Sequence, residues 1–219
     1  MEHDCECTLT FHAPRLVVLT GGPGAGKTAV LEVIRKSFCR HVVVLPEAAS
    51  VLFSGGFPRS EDFAMRMAAQ RAIFHVQREL EDGTREQRQA AVILCDRGLL
   101  DGVAYWPGST DGFFAALGTD EPTLLARYAA VLHLRTPHAE HGYDRRNPLR
   151  VESAEEASEI DTTIFDAWSR HPRRYEIESR RTFLQKVEAT LDALRLEVPP
   201  CCRTHPLVLD GIVDRSHHA

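Results

Sequence analysis

The sequence predicts an α/β fold, with a parallel sheet held between two layers of helices. Two observations carry that prediction. Short continuous apolar runs, bounded by turn residues, alternate with longer segments of helical periodicity. This is the pattern of parallel strands covered on both faces and joined by helices. Between the first run and the first helical segment lies Gly21-Gly22-Pro23-Gly24-Ala25-Gly26-Lys27-Thr28, a stretch too rich in glycine to belong to either element.

The runs that read as strands are, in order, Leu16–Thr20, His41–Leu45, Ala91–Cys95, Val131–Leu134 and Leu207–Leu209. Each is apolar throughout, which suits a strand buried on both faces better than one with a wet side. The first helix follows the glycine cluster and carries Val30, Leu31, Val33 and Ile34. Met65, Ala69, Ile73, Val76 and Leu80 fall on one helical stripe that is expected to stop near Gly83. Ile160, Ile164 and Trp168 form a second stripe, introduced by the capping box Ser153-x-x-Glu156. A third, after Pro172, takes Ile177, Leu184, Val187, Leu191 and Leu194.

A chain of 219 residues, 43% of them hydrophobic, suits one compact domain spanning residues 1–219 with no convincing linker. The formal net charge of −5 offers no electrostatic drive toward nucleic acid, so no nucleic-acid partner is expected. The longest apolar runs have the length of strands, so no membrane insertion is expected. The N-terminus opens on Glu2, His3 and Asp4 rather than on an export signal. A cytoplasmic protein is the reading that follows. Six cysteines, Cys5, Cys7, Cys39, Cys95, Cys201 and Cys202, then read as thiols. Cys5-x-Cys7 and Cys201-Cys202 could meet at a zinc ion, but neither has the usual spacing of zinc ligands.

The glycine cluster satisfies G-x-x-x-x-G-K-[ST] in the context the motif requires, after an apolar strand and before an amphipathic helix. Glycines let successive backbone N–H groups turn toward a β-phosphate, and the helix that starts there adds its positive end. Lys27 would reach the β- and γ-phosphates, and the Thr28 hydroxyl would ligate Mg²⁺. The loop therefore predicts ATP or GTP, with Mg²⁺, as cofactor.

Two further strand ends matter, because ligands of open α/β sheets gather at the carboxyl ends of strands. "VVVLPEAAS" places Glu47 at the second, and "AVILCDRGLLDGVAYW" places Asp96 and Arg97 at the third. Asp96 reads as a magnesium-holding acid. Arg97 reads as facing the phosphoryl group or the acceptor, and Glu47 as a carboxylate that takes a proton from an acceptor hydroxyl. Each has a structural alternative: a helix N-terminal acid for Glu47, a capping acid for Asp96, an ion pair for Arg97. Asp101 either orients Arg97 or caps a helix. Phe57, Arg59 and Gln70 are candidates to shape an acceptor site, with Phe63 either there or in the core.

Together "GGPGAGKT", "PEAAS" and "DRGLLDGVAYW" resemble the small P-loop kinases from about Leu16 to Leu209. The set is similar to AAA-domain ATP-binding proteins related to the nicotinamide riboside kinase domain of bacterial NAD regulators, and more distantly to deoxynucleoside kinases. The resemblance implies a three-layer α/β/α P-loop NTPase fold with strand order 2-3-1-4-5. It implies that Gly21 to Thr28 form the nucleotide loop, that Glu47 is the catalytic carboxylate and that Asp96-Arg97 is the acid–arginine pair. It also places a lid at about residues 136–152, in the stretch between the fourth strand and the capped helix where Arg135, Arg145, Arg146 and Arg150 are concentrated. Arg146 and Arg150, flanking Asn147-Pro148, are the first candidates for arginines that close on phosphate. The arginine set of a nucleoside monophosphate kinase is not found, so an uncharged hydroxyl acceptor is favoured, a nucleoside-like one first. His138-x-x-His141 reads as surface histidines, and Asp210-Gly211 as a wall beside the base.

Three function classes compete. A kinase for a small hydroxyl-bearing metabolite leads. A nucleotide switch binding a partner is the alternative, weakened by the absence of an N-K-x-D guanine-reading motif. A non-catalytic nucleotide module fits poorly with two carboxylates at two strand ends. The acceptor, the choice of ATP over GTP and the oligomeric state stay open.

Overall fold

The computed structural model describes residues 12–137, 153–179 and 182–203. Five strands form one all-parallel sheet in the order β2-β3-β1-β4-β5, the expected order. They are β1 (Arg15–Thr20), β2 (Val42–Leu45), β3 (Val92–Asp96), β4 (Ala130–Leu134) and β5 (Arg174–Ile177).

Alternate residues of β1 serve opposite cores. Val17 and Leu19 face a layer built from α1 (Lys27–Ser37) and α7 (Phe183–Arg195), with Val30, Leu31, Ile34, Val187, Leu191 and Leu194 all buried. Leu16 and Val18 face the other layer, which holds Phe74 of α3 (Phe63–Gln87), Phe113 of α4 (Thr110–Leu117), Leu124 of α5 (Glu121–Ala126) and Ile164 of α6 (Ala154–Ala167). The short α2 (Ala48–Ser54) follows β2 directly. Continuous apolar strands follow from this two-sided burial.

Three expectations need correction. The fifth strand of the sheet is Arg174–Ile177, whereas Leu207–Leu209 lies outside the described residues. RYEI alternates polar and apolar, and at the sheet's edge, paired only with β4, it tolerates Arg174 and Glu176; the other edge strand, β2, keeps the apolar run VVVL. Ile177 accordingly ends that strand rather than starting the last helix, which begins at Phe183 under a Thr182–Gln185 capping box.

The long helix α3 runs through Gly83 to Gln87 and ends at Arg88, which takes the left-handed conformation with φ 55°. One interior glycine costs about 1 kcal/mol, and buried anchoring outweighs it. Glu81 accepts from Arg127 at 2.9 Å and from the Tyr128 hydroxyl at 2.8 Å, and Asp82 accepts from Arg127 at 2.9 Å. The capping box at Ser153 and Glu156 forms as expected, with both reciprocal hydrogen bonds present. Among the described residues no helix is long and apolar enough to cross a membrane.

Candidate functional site

The glycine cluster joins the carboxyl end of β1 to the amino end of α1. Gly21 has φ 136°, and a Cβ there would stand 2.1 Å from the Leu134 carbonyl oxygen. Gly22 is as tightly confined, since its Cβ would meet Thr136 Oγ1 at 2.6 Å and Asp161 Cβ at 2.7 Å. No side chain fits at either position. Lys27 reaches back over the loop, donating from Nζ to the Gly21 carbonyl at 2.7 Å and the Gly22 carbonyl at 3.0 Å. The Thr28 hydroxyl lies in the exposed first turn of α1.

Strand register brings the third strand end to the same place. Asp96 is paired with Leu19 in the β1–β3 ladder, so its carboxylate leaves the sheet just before the loop begins. Arg97 follows with φ 73°, a left-handed conformation that a non-glycine residue keeps only when its surroundings over-determine it. Here they do. Its backbone N–H donates to the Leu19 carbonyl at 3.1 Å, and Gln77 Nε2 donates to its carbonyl at 3.2 Å.

The Arg97 guanidinium spans the site. Nε donates to Glu47 Oε1 at 2.7 Å, while Nη1 reaches the Gly21 carbonyl at 3.3 Å and Asp101 Oδ2 at 3.4 Å. Asp101 is itself fixed by the Trp168 indole N–H at 2.7 Å and by the Thr20 hydroxyl. It therefore orients Arg97. Glu47 is the N-cap residue of α2, but its side chain makes no capping bond. It accepts from Arg97 and from the Ser50 hydroxyl instead.

Electrostatics tie these groups into one unit. Burial, with the Arg97 charge beside it, lowers the Lys27 pKa to about 7 against the pull of Asp96, Glu47 and Asp101. Burial raises the Asp96 pKa to about 6, with Glu47 adding to the rise and Lys27 opposing it. Burial also pushes Glu47 upward, but Arg97, Ser50 and Lys27 outweigh it and the carboxyl stays below its ordinary value. Glu47 is thus ionised at neutral pH.

A second carboxylate holds the loop from the other side. Asp161 of α6 accepts from the Gly22 N–H at 2.8 Å and contacts His133 Nε2 at 3.0 Å through the same Oδ1, while Arg135 lies 3.3 Å from Oδ2. Burial raises its pKa, and the bonds from His133 and Gly22 with the Arg135 charge reverse that to a net lowering. Lys186 of α7 donates to the Arg135 carbonyl at 2.7 Å. Burial brings its pKa down to about 8.

The structure thus brings Gly21, Gly22, Lys27, Glu47, Arg97 and Asp101 into contact, with Asp96 beside them in the ladder. Arg59 lies over the Phe53 ring at 4.1 Å, and Phe53 meets Phe57 edge to face, on the α2 side of Glu47. Phe63 is 57% exposed and so does not belong to the core. Arg145, Arg146, Arg150, His138, His141 and Asp210-Gly211 lie outside the described residues. Arg135, grouped in the sequence with the arginines of the lid stretch, instead pairs with Asp161, and sequence reasoning missed Asp161. A signal existed: Asp161 shares a helical stripe with Ala157, Ile164 and Trp168, and a carboxylate on an apolar stripe asks for a buried partner.

Residues 16–186 match the family model of the AAA domain AAA_28, and the chain belongs to that family of P-loop NTPases. No curated protein matches the sequence. Among solved structures, the thymidylate kinase of Candida albicans superposes with a TM-score of 0.58 at 15% identity, covering 84% of this chain and 92% of that one. The deoxyadenosine kinase of M. mycoides, bound to dCMP and dCDP, gives 0.57 at 11% identity over 83% and 99%. The same kinase with dATP gives 0.58 at 12% over 82% and 98%. The fold is that of the P-loop kinases.

Proposed function

We propose that this chain is an ATP-dependent phosphotransferase that moves the γ-phosphoryl group to a hydroxyl of a small, nucleoside-like acceptor. The observation that carries it is Arg97 joining Glu47 to the phosphate loop, its guanidinium donating to Glu47 at 2.7 Å and to the Gly21 carbonyl at 3.3 Å. An ionised carboxylate beside the phosphate loop is a group that transfer to a hydroxyl would use. A carboxylate at this point can hold and deprotonate an acceptor.

Gly21 to Thr28 would cradle the phosphates, with Gly22, Pro23, Gly24, Ala25 and Gly26 supplying backbone around the β-phosphate and Lys27 turning from the loop carbonyls to the β- and γ-oxygens. Thr28 and Asp96 suit Mg²⁺. Both are hard oxygen donors, and an Asp96 carboxyl raised to about 6 is one whose charge a dication would stabilise. Such an ion would neutralise charge on the phosphates.

Glu47 would accept the acceptor O–H. As that oxygen bonds to the γ-phosphorus, the bond from phosphorus to the bridging oxygen breaks, its electron pair leaves with ADP, and the hydroxyl proton passes to Glu47. Arg97 would hold Glu47 ionised and in place. The nucleoside-like acceptor is supported by the resemblance of the PEAAS and DRG segments to small nucleoside kinases and by the kinase neighbours of the fold.

The test is a screen for label transfer from γ-labelled Mg-ATP to nucleosides and other hydroxyl-bearing metabolites, with hydrolysis followed alongside. Transfer stimulated by one acceptor supports the proposal. Hydrolysis stimulated only by a protein partner would replace it with a nucleotide switch.

A further inference from the structure

We propose that Cys39, His41 and Cys202 bind one Zn²⁺ ion at the amino end of the sheet, opposite the phosphate loop. The three are far apart in sequence and meet only through the fold. Cys39 and His41 belong to the turn between α1 and β2, which is closed by the Val42 N–H donating to the Cys39 carbonyl at 3.0 Å. Cys202 lies in the 3-10 turn Pro200–Cys202 that follows α7.

The three donor atoms stand close enough to share one ion. His41 Nδ1 stands 3.7 Å from Cys39 Sγ and 3.4 Å from Cys202 Sγ, and the three atoms lie within 4.8 Å of one another. A tetrahedral zinc with Zn–S of about 2.3 Å and Zn–N of about 2.0–2.1 Å holds sulfur and nitrogen about 3.5 Å apart. All three side chains are buried, at 1%, 4% and 1% exposure. Two thiolates and a neutral imidazole would cancel the charge of Zn²⁺, so the filled site would add no net charge to the interior. Soft sulfur and imidazole donors select zinc over the Mg²⁺ that suits the phosphate loop.

The site has a built surround. The His12 ring meets His41 edge to face at 4.7 Å between centroids, and Cys201 Sγ lies 3.7 Å from Cys202 Sγ. The His41 carbonyl accepts from the N–H groups of Ala91 at 2.8 Å and Val92 at 3.0 Å, which anchors the turn to the start of β3. Zinc here would clasp the turn after α7 to the amino ends of β2 and β3. Three protein ligands leave the fourth tetrahedral position to a water molecule, and the ion would act by tying these segments together, far from the phosphate loop.

The test uses the whole chain, purified without a polyhistidine tag under reducing conditions and dialysed against metal-free buffer. Elemental analysis is expected to find about one zinc per chain. After chelator treatment, added Co²⁺ is expected to give a thiolate-to-cobalt charge-transfer band and the intense visible bands of a tetrahedral site. His41→Ala and Cys202→Ser should each lose both signals, while Cys95→Ser, at a buried cysteine of β3, and Lys27→Ala, in the phosphate loop, should keep them. A reduced, folded parent chain with no zinc and no cobalt band overturns the proposal, as does full metal retention in both ligand variants. If the ligand variants fail to fold, the zinc content and cobalt spectrum of the parent decide alone.

Discussion

Arg97 donates to Glu47 across 2.7 Å, an ion pair that joins the ends of two neighbouring strands at the mouth of the phosphate loop. The pair is part-buried, with side-chain exposures of 17% and 29%. One oxygen of Glu47 is tied to Arg97 and the other accepts from the Ser50 hydroxyl, a neutral donor and the weaker bond, which an acceptor hydroxyl would have to share or displace. The same arginine reaches Asp101 and the Gly21 carbonyl, so the carboxylate, the loop and the arginine share one rigid frame. Rigid placement of this kind is what a phosphoryl-transfer site needs, because most of its catalysis is positioning.

Glu47→Gln tests the role of that carboxylate. Glutamine keeps an oxygen to accept from Arg97, so folding should be little changed. Acceptor phosphorylation is expected to fall about 100-fold or more, the scale of a positioned base, with Mg-ATP affinity nearly unchanged. Steady-state turnover beside a calorimetric titration checks this. Equal turnover would make Glu47 a structural partner of Arg97.

Asp161→Ala tests the anchor of the loop. The Gly22 N–H would lose a charged acceptor, an interaction worth about 1.5–3 kcal/mol. Mg-ATP affinity should drop about tenfold or more, with a matching loss of stability. Asp161→Asn should recover part of the affinity, because an amide oxygen can still accept from Gly22.

Asp161 also gives a pH signature. Its folded pKa lies below the ordinary value of 3.8, so its stabilising contribution is present above that value and is lost as pH falls through the lower folded one. The difference in unfolding free energy between the parent and Asp161→Asn should be flat above about pH 5 and narrow below about pH 4. Denaturant melts across that range measure it. A difference that grows on acidification would contradict the assignment.

Lys27, with a pKa brought down to about 7, should be largely uncharged at pH 8 in the absence of nucleotide. It should then react with an amine-directed reagent well ahead of surface lysines, and Mg-ATP should protect it by restoring the charge and covering the amine. Peptide mapping by mass spectrometry reads both effects. Labelling of Lys27 no faster than that of Lys36 would contradict the shift.

How much of this was legible in the sequence varies by element. The first four strands, the loop and the capping box at Ser153 were readable because each is a local pattern: an apolar run, a glycine spacing, a Ser-x-x-Glu. Arg174–Ile177 was not, since Arg174 and Glu176 break its apolar run, whereas Val42–Leu45 at the opposite edge keeps one. Glu47, Asp96 and Arg97 stood out as polar residues ending apolar runs. Asp161, its pairing with Arg135 and the Cys39–His41–Cys202 cluster did not, because each depends on contacts between segments distant in the chain. Cysteine spacing spoke against zinc at Cys5-x-Cys7 and Cys201-Cys202 and favoured plain thiols, whereas the fold sets Cys202 beside Cys201 and His41.

The claim on which the rest depends is that residues 21–28 seat a nucleoside triphosphate through Lys27. Isothermal calorimetry of Mg-ATP, and of Mg-GTP beside it, with the parent chain and with Lys27→Ala tests it most directly. The loop geometry predicts saturable one-to-one binding by the parent for at least one of the two nucleotides. It predicts a loss of about 100-fold or more in the variant, with circular dichroism showing the fold intact, since charge-assisted contacts to phosphate are among the strongest hydrogen bonds available. A parent chain that binds neither nucleotide, or a folded Lys27→Ala variant that binds as tightly as the parent, would contradict the account.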